Sequence, residues 1–187
     1  MNIIIASSSL RKKILLNSIG YKSELKKPIF NQGLIHTGKT INKYIDYISL
    51  AKVTALTNFY YNDIIIATSS RIITNNIILS YPMNKKSATE YYSLLSGKNH
   101  IIYTSICVIF KNNIIKKNIV TKIKFRTFNA DQINYFVNLN NWKNKFSIYL
   151  PLGVNYYYIS HIKGSLENLF GFPLYNINEI LKKIKYK

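Results

Sequence analysis

Two runs of β-branched residues constrain this chain most. Asn2–Ala6 reads N-I-I-I-A and Asp63–Thr68 reads D-I-I-I-A-T, and each contains an unbroken I-I-I-A run. Short runs of this kind, rich in Ile and bounded by polar residues, predict buried strands. The segments that follow them carry apolar residues at helical spacing instead. Leu10–Ile19 predicts a helix with Leu15, Leu16 and Ile19 on its apolar face and Gly20 as its stop. Ile41–Tyr60 predicts the longest helix, with Ile45, Ile48, Leu50, Val53 and Leu56 recurring along it. Buried strands that alternate with helices dictate an α/β fold.

The rest of the chain adds antiparallel signals. Tyr21–Lys27 predicts a second strand that ends near Pro28, and Asn31–Lys39 a polar loop. Ile72–Leu79 crosses Thr74-Asn75-Asn76, a hairpin turn composition. Ile101–Phe110 and Ile114–Phe125 predict strands joined through Lys111-Asn112-Asn113, a second hairpin. Lys85–Leu95 and Ala130–Val137 predict helices, the latter with Asn129 as its N-cap. Tyr156–Ile162 predicts the last strand. Gly164–Phe170 predicts a turn or short helix, and Asn176–Ile184 a helix. No Gly/Ser or Pro linker, low-complexity tract or internal repeat divides the sequence, and 187 residues suit one domain. The expectation is a single domain over 1–187 with a mixed, twisted sheet flanked by helices and a ligand cleft between them.

Composition removes several function classes. Apolar residues make up 48% and aromatics 14%, enough for a core, so disorder is excluded. No apolar run reaches the roughly 18 residues of a membrane span, and the first residues lack the basic region of a secretory leader. Cys107 is the single cysteine, which rules out an internal disulfide and a multi-cysteine metal site. A cytoplasmic setting follows by default. The formal net charge of +19 invites a nucleic-acid reading. Only Arg11, Arg71 and Arg126 supply guanidinium groups, while Ile, Asn, Lys and Tyr together make 94 of the 187 residues. These are residues that AT-rich coding over-produces. A selected nucleic-acid surface would favour Arg for its bidentate contacts, so no specific nucleic-acid partner is expected. The charge still gives any anionic ligand a favourable field.

The first strand–loop–helix unit is the most informative for chemistry. A buried strand delivers the chain into Ser7-Ser8-Ser9, and Leu10-Arg11-Lys12-Lys13 opens the helix. Backbone N–H groups at a helix start bind anions, hydroxyls on Ser7 and Ser9 add donors, and Arg11 and Lys12 add charge. On these residues alone the plainer alternative is preferred: Ser9 as an ordinary N-cap, and Arg11–Lys13 as a solvated face. Cys107 lies in an apolar strand and reads as core. His36, His100 and His161 are too dispersed for a metal pair.

Several segments in order resemble the Maf family of nucleoside triphosphate pyrophosphatases. Ile5-Ala6-Ser7-Ser8-Ser9-Leu10-Arg11-Lys12, followed by Leu15-Leu16, is similar to the family opening A-S-x-S-P-R-R and L-L. Tyr44-Ile45 through Lys52 resembles Y-V-x-R-L-A-x-x-K-A. Ile66-Ala67-Thr68-Ser69-Ser70 occupies the place of G-A-D-T, and Leu79-Ser80-Tyr81-Pro82 that of a G-K-P turn. Leu95-Ser96-Gly97-Lys98-Asn99-His100 resembles L-S-G-R-x-H, with Y-T at Tyr103-Thr104 and F-R at Phe125-Arg126. Asn144 to Gly153 stands where the family reads D-K-A-G-A-Y-G-I-Q-G. Gly164-Ser165 and Gly171-Phe172-Pro173-Leu174 resemble G-S and G-L-P-L.

The resemblance implies a fold of the Maf and inosine triphosphatase type. It implies hydrolysis of a dTTP- or UTP-like nucleotide to the monophosphate and pyrophosphate, with Mg or Mn as the divalent cofactor. Pairing of two copies is also common in the family. It places Ser7, Ser9, Arg11, Lys12 and Lys52 at phosphate-binding positions, Lys12 standing for a second Arg. It places specificity at Arg11, Ser70 and Leu152. The catalytic Asp position is Ser69, at the end of the Asp63–Thr68 strand, and its acidic partner falls at Asn31-Gln32. The Lys of the G-K-P turn is Tyr81, and the Gln of the I-Q-G loop is Leu152. With Gln32 and Ser69 at the acid positions, and no metal ligand identified, the implied enzyme is impaired. The alternative is an inactive nucleotide-binding remnant of the same family.

Overall fold

The computed structural model describes residues 1–30, 40–139, 142 and 157–185. The chain runs β1 (Ile3–Ala6), α1 (Leu10–Asn17), β2 (Ser23–Lys26), α2 (Ile41–Thr57), β3 (Ile64–Thr74) and β4 (Ile77–Ile78). It continues through α3 (Lys85–Leu95), β5 (Asn99–Phe110), β6 (Asn113–Phe125), α4 (Ala130–Asn138), β7 (Ile159–Lys163), a 3-10 turn (Glu167–Phe170) and α5 (Leu174–Lys185). The seven strands form one sheet in the order β2-β1-β3-β5-β6-β7, with β4 on β3. β1 is parallel to both β2 and β3, whereas β3–β4 and β6–β7 are antiparallel, so the sheet is mixed. Among the described residues no helix is long and apolar enough to cross a membrane.

The chain divides into two compact units. The first comprises Met1–Ser70, Thr104–Ile119 and Phe172–Lys187, the second Arg71–Tyr103 and Val120–Gly171. In the first unit the Ile runs are buried on both faces. Ile3, Ile5, Ile64, Ile66, Ile106 and Val108 pack against Leu16 of α1 and Ile177, Ile180 and Leu181 of α5. Their neighbours Ile4, Ala6, Ile65, Ala67, Cys107 and Ile109 pack against Val53 and Leu56 of α2. Successive strand residues point to opposite faces, so a strand covered by helices on both sides must be apolar throughout. Each such side chain contributes about 1.5–3 kcal/mol on burial. In the second unit Tyr92 and Leu95 of α3, Phe136 of α4, and Phe125, Phe128 and Leu169 share one core. Asn84 and Asn129 start α3 and α4 with complete capping boxes.

Three expectations are corrected, and the hairpin expected at Thr74-Asn75-Asn76 is present. The strand expected over Asp63–Thr68 continues to Thr74 and includes the first arm of the expected hairpin, so Ser69 and Ser70 lie inside β3. The side-chain bonds Ser70–Thr104 and Thr74–Asn99 run in opposite senses, as in an antiparallel pair, and β5 gives β3 its partner past the end of β1. The first helix stops at Asn17. Its last turn tightens through Ile19 N–Leu16 O and Gly20 N–Asn17 O bonds, and Ile19 is 40% exposed. Asn75 and Asn76 carry φ of 49° and 60°, a type I′ pattern that closes the β3–β4 hairpin in two residues. Tyr157 and Tyr158 precede β7 instead of lying in it, and Tyr158 packs edge-on against Phe128 and Phe136.

Candidate active site

β1 ends at Ala6, where the chain turns sharply. Ser7 N donates to Ile5 O at 2.8 Å and to Lys26 O at 3.0 Å. Ser9 N donates to Ser7 Oγ at 3.1 Å, which fixes the turn leading into α1. Ser9 occupies the N-cap position with φ −81° and ψ 105°, but its side chain makes no cap bond. The plain N-cap role expected of its hydroxyl is therefore not used. The first helical bond is instead Lys12 N to Ser9 O at 3.1 Å.

The parallel register pairs Ile3 with Ile64 and Ile5 with Ile66. Thr68 stands two residues further along β3. Two cations from different helices meet on that threonine. Lys12 Nζ of α1 donates to Thr68 Oγ1 at 2.7 Å, with its ammonium 5.9 Å from the centre of the Phe172 ring. Lys52 Nζ of α2 donates to the Thr68 carbonyl at 3.1 Å. Helix α1 covers one face of the sheet and α2 the other, so Thr68 is reached from both sides. Arg11, half-buried, opens α1 beside Lys12, and burial draws its guanidinium below the ordinary value.

Ser69 is 2% exposed, and its Oγ has no hydrogen-bond partner among the described residues. Strand alternation puts its side chain with Ile65 and Ala67, on the side from which Lys52 arrives. A buried hydroxyl left unsatisfied costs roughly 1–3 kcal/mol, so its presence in a core strand needs a reason beyond packing. Ser70 faces the other way and its Oγ accepts from Thr104 Oγ1 at 2.7 Å. Ser49 of α2 and Ser105 of β5 share a buried hydroxyl bond of 2.8 Å.

The structure thus brings Lys12 and Lys52 onto Thr68, with Ser69 next along the strand, while Ser7 and Ser9 lie in the turn that leads into α1 and Arg11 in its first turn. Gln32 and Leu152 lie outside the described residues. Sequence reasoning missed Thr68 as the residue on which the lysines meet. The available signal was the break of an Ile run by three consecutive hydroxyl residues, Thr68-Ser69-Ser70.

All seven carboxylate side chains of the chain are among the described residues, and each can be placed. Asp63 accepts from Asn2 N at 2.7 Å, just before the N-terminal end of β3. Glu24 pairs with Lys26 at 3.1 Å and Glu179 with Lys182 at 3.7 Å. Asp46 accepts from Asn118 at 3.2 Å. Glu90 lies on α3, Asp131 in the first turn of α4, and Glu167 in the first turn of the 3-10 segment. No group of three or more His, Cys, Asp or Glu gathers among the described residues. A divalent cation of the Mg type wants carboxylate oxygens. The strand at Thr68 and Ser69 offers neutral hydroxyls and carbonyls beside ammonium groups, and this donor set does not fit such an ion.

Three other titratable groups are held neutral. Burial pushes the Tyr81 phenol up to about 12, with Arg71 acting in the opposite sense. Burial lowers His100 to about 4 and raises the Cys107 thiol to about 11. Neither Tyr81 nor Cys107 is thereby made a base or nucleophile at neutral pH.

The chain is similar to proteins known as dTTP/UTP pyrophosphatases. That of Acinetobacter baylyi is 27% identical over 180 residues, spanning 96% of this chain and 98% of that protein. That of Clostridium botulinum is 29% identical over 188 residues, spanning 98% and 97%. Among solved structures, the Ham1 protein of Staphylococcus aureus aligns over 77% of this chain and all of its own, with a TM-score of 0.48 and 11% identity. The Maf-like protein family model matches residues 2–184, and the chain belongs to that family.

Proposed function

We propose that this protein is a nucleoside triphosphate pyrophosphatase of the dTTP/UTP type that turns over slowly. The observation that carries the reading is the meeting of Lys12 and Lys52 on Thr68, beside the Ser7–Leu10 turn. A triphosphate set there has ammonium groups from two helices and the N–H groups at the start of α1. In the reaction a water oxygen bonds to the α-phosphorus and the P–O bond to the bridging oxygen breaks. The bond's electron pair departs on pyrophosphate. Lys12, Lys52 and Arg11 hold the phosphates and offset the charge that develops on the leaving group.

The attacking water must also give up a proton, and here the site is poor. A serine hydroxyl at position 69 does not take a proton at neutral pH. Loss of a positioned general base costs about 10²–10⁴-fold. The pyrimidine-nucleotide preference is supported by Arg11, by Ser70 and the Gly164-Ser165 turn, and by the names of the relatives. The substrate is a free nucleotide in the cytoplasm, not a nucleic acid. A second reading, nucleotide binding without turnover, is favoured by the buried neutral Ser69 at the position of the family's Asp.

The test is pyrophosphate release from dTTP, UTP, dCTP and ATP, with the protein as it stands and with Lys52→Ala. Slow release from dTTP and UTP that Lys52→Ala abolishes is the expected result. Equal release from all four nucleotides, or release indifferent to Lys52, would overturn the reading. Tight dTTP binding with no release would leave the second one.

A further inference from the structure

The mismatch between this donor set and a divalent cation has a consequence for the ligand. Resting on the nucleotide reading above, we propose that the site takes its polyphosphate as the free anion, with no metal ion between protein and phosphate. A divalent ion bridges a nucleotide to a protein when carboxylates receive the ion on the protein side. Carboxylates that await a metal also repel a naked triphosphate. Neither condition holds at Thr68. Lys12 and Lys52 converge there from opposite faces of the sheet, Arg11 lies in the first turn of the adjoining helix, and Asp63, Asp46, Glu24 and Glu179 are each engaged with another partner.

A second, independent observation is Ser69. Its buried Oγ has no partner among the described residues and lies on the Lys52 side of β3. A hydroxyl there donates to an anionic phosphate oxygen, a short and strong class of hydrogen bond, whereas an aspartate at the same place would repel it. The Ser9 side chain, unused in capping α1, is a further neutral donor. Metal complexation removes two negative charges from a triphosphate, so on this surface a bound divalent ion weakens the attraction it elsewhere creates.

Calorimetry of dTTP and of inorganic triphosphate with the full chain tests this, in EDTA and in excess Mg²⁺ at matched ionic strength. Binding in EDTA is expected for both ligands, no weaker than in Mg²⁺, and falling as salt screens the cations. Lys12→Ala and Lys52→Ala should each weaken binding in EDTA about tenfold, about 1.4 kcal/mol. Binding that requires Mg²⁺ would overturn the inference and leave the nucleotide reading standing. EDTA binding indifferent to both lysines would overturn the site. No binding in either buffer would overturn the nucleotide reading together with it.

Discussion

Ser69→Asp is the most informative single change to this protein. It restores the acid of the family pattern at a position that is 2% exposed and one residue from the carbonyl held by Lys52 at 3.1 Å. Two opposing effects set its outcome. Removing a carboxylate from water costs several kcal/mol. An ammonium about 5 Å away returns about 3 kcal/mol at an effective dielectric constant of about 20. The balance predicts a fold weakened by about 1–3 kcal/mol yet intact, with the carboxylate ionised because Lys52 shares its side of the strand. If the missing base is what limits turnover, the rate of pyrophosphate release from dTTP rises by about 10²-fold or more. The rate should climb as pH rises through the new carboxyl's pKa and then level off. Gln32→Glu alone should do little, and together with Ser69→Asp should exceed the sum, because groups that act as a unit are not additive. Ser69→Asn is the control, with nearly the same shape and no charge. If it gains as much as the aspartate, the effect is packing and not a restored base. If Ser69→Asp keeps the native circular dichroism and shows no gain, the general-base argument is wrong.

Three further outcomes follow from the fold. His100 is buried with its pKa lowered to about 4, so its contribution to stability is fully present above about pH 6.5 and is lost as pH falls toward 4. Urea unfolding at pH 7 and pH 5 should show that loss, on the order of 2 kcal/mol, and His100→Asn should reduce the difference. Gly164→Ala should lower the melting temperature more than Gly20→Ala. Both have positive φ, but a Cβ at 164 would lie 2.7 Å from Val120 O, and one at 20 meets nothing within 4 Å. Cys107, buried and with its thiol raised to about 11, should not react with a thiol reagent at pH 8 until denaturant unfolds the chain.

The order of elements was legible in the sequence because it rests on local rules. An Ile run between polar residues is a strand in almost any context, and Asn75-Asn76 closes a two-residue hairpin because Asn tolerates positive φ. Asn84 and Asn129 cap helices that begin where their sequences say, because a capping box is made within four residues. The basic segment Arg11–Lys13 after three serines was equally visible, although its own spacing favoured a solvated face. What the sequence could not supply was the partner of each charge. Lys12 and Lys52 are 40 residues apart, and neither helix encodes that both ammonium groups reach Thr68. That meeting depends on β1 and β3 lying parallel in register while helices cover both faces. The same pairing decides the setting of Ser69. Read locally, the Ile run ends at Thr68. In the fold β5 carries β3 on to Thr74, so Ser69 is a buried strand residue whose hydroxyl has no partner among the described residues. Local propensity follows from each residue's own sterics and its near neighbours. Convergence of charge and burial follows from chain segments distant in sequence, and only the packed sheet decides it.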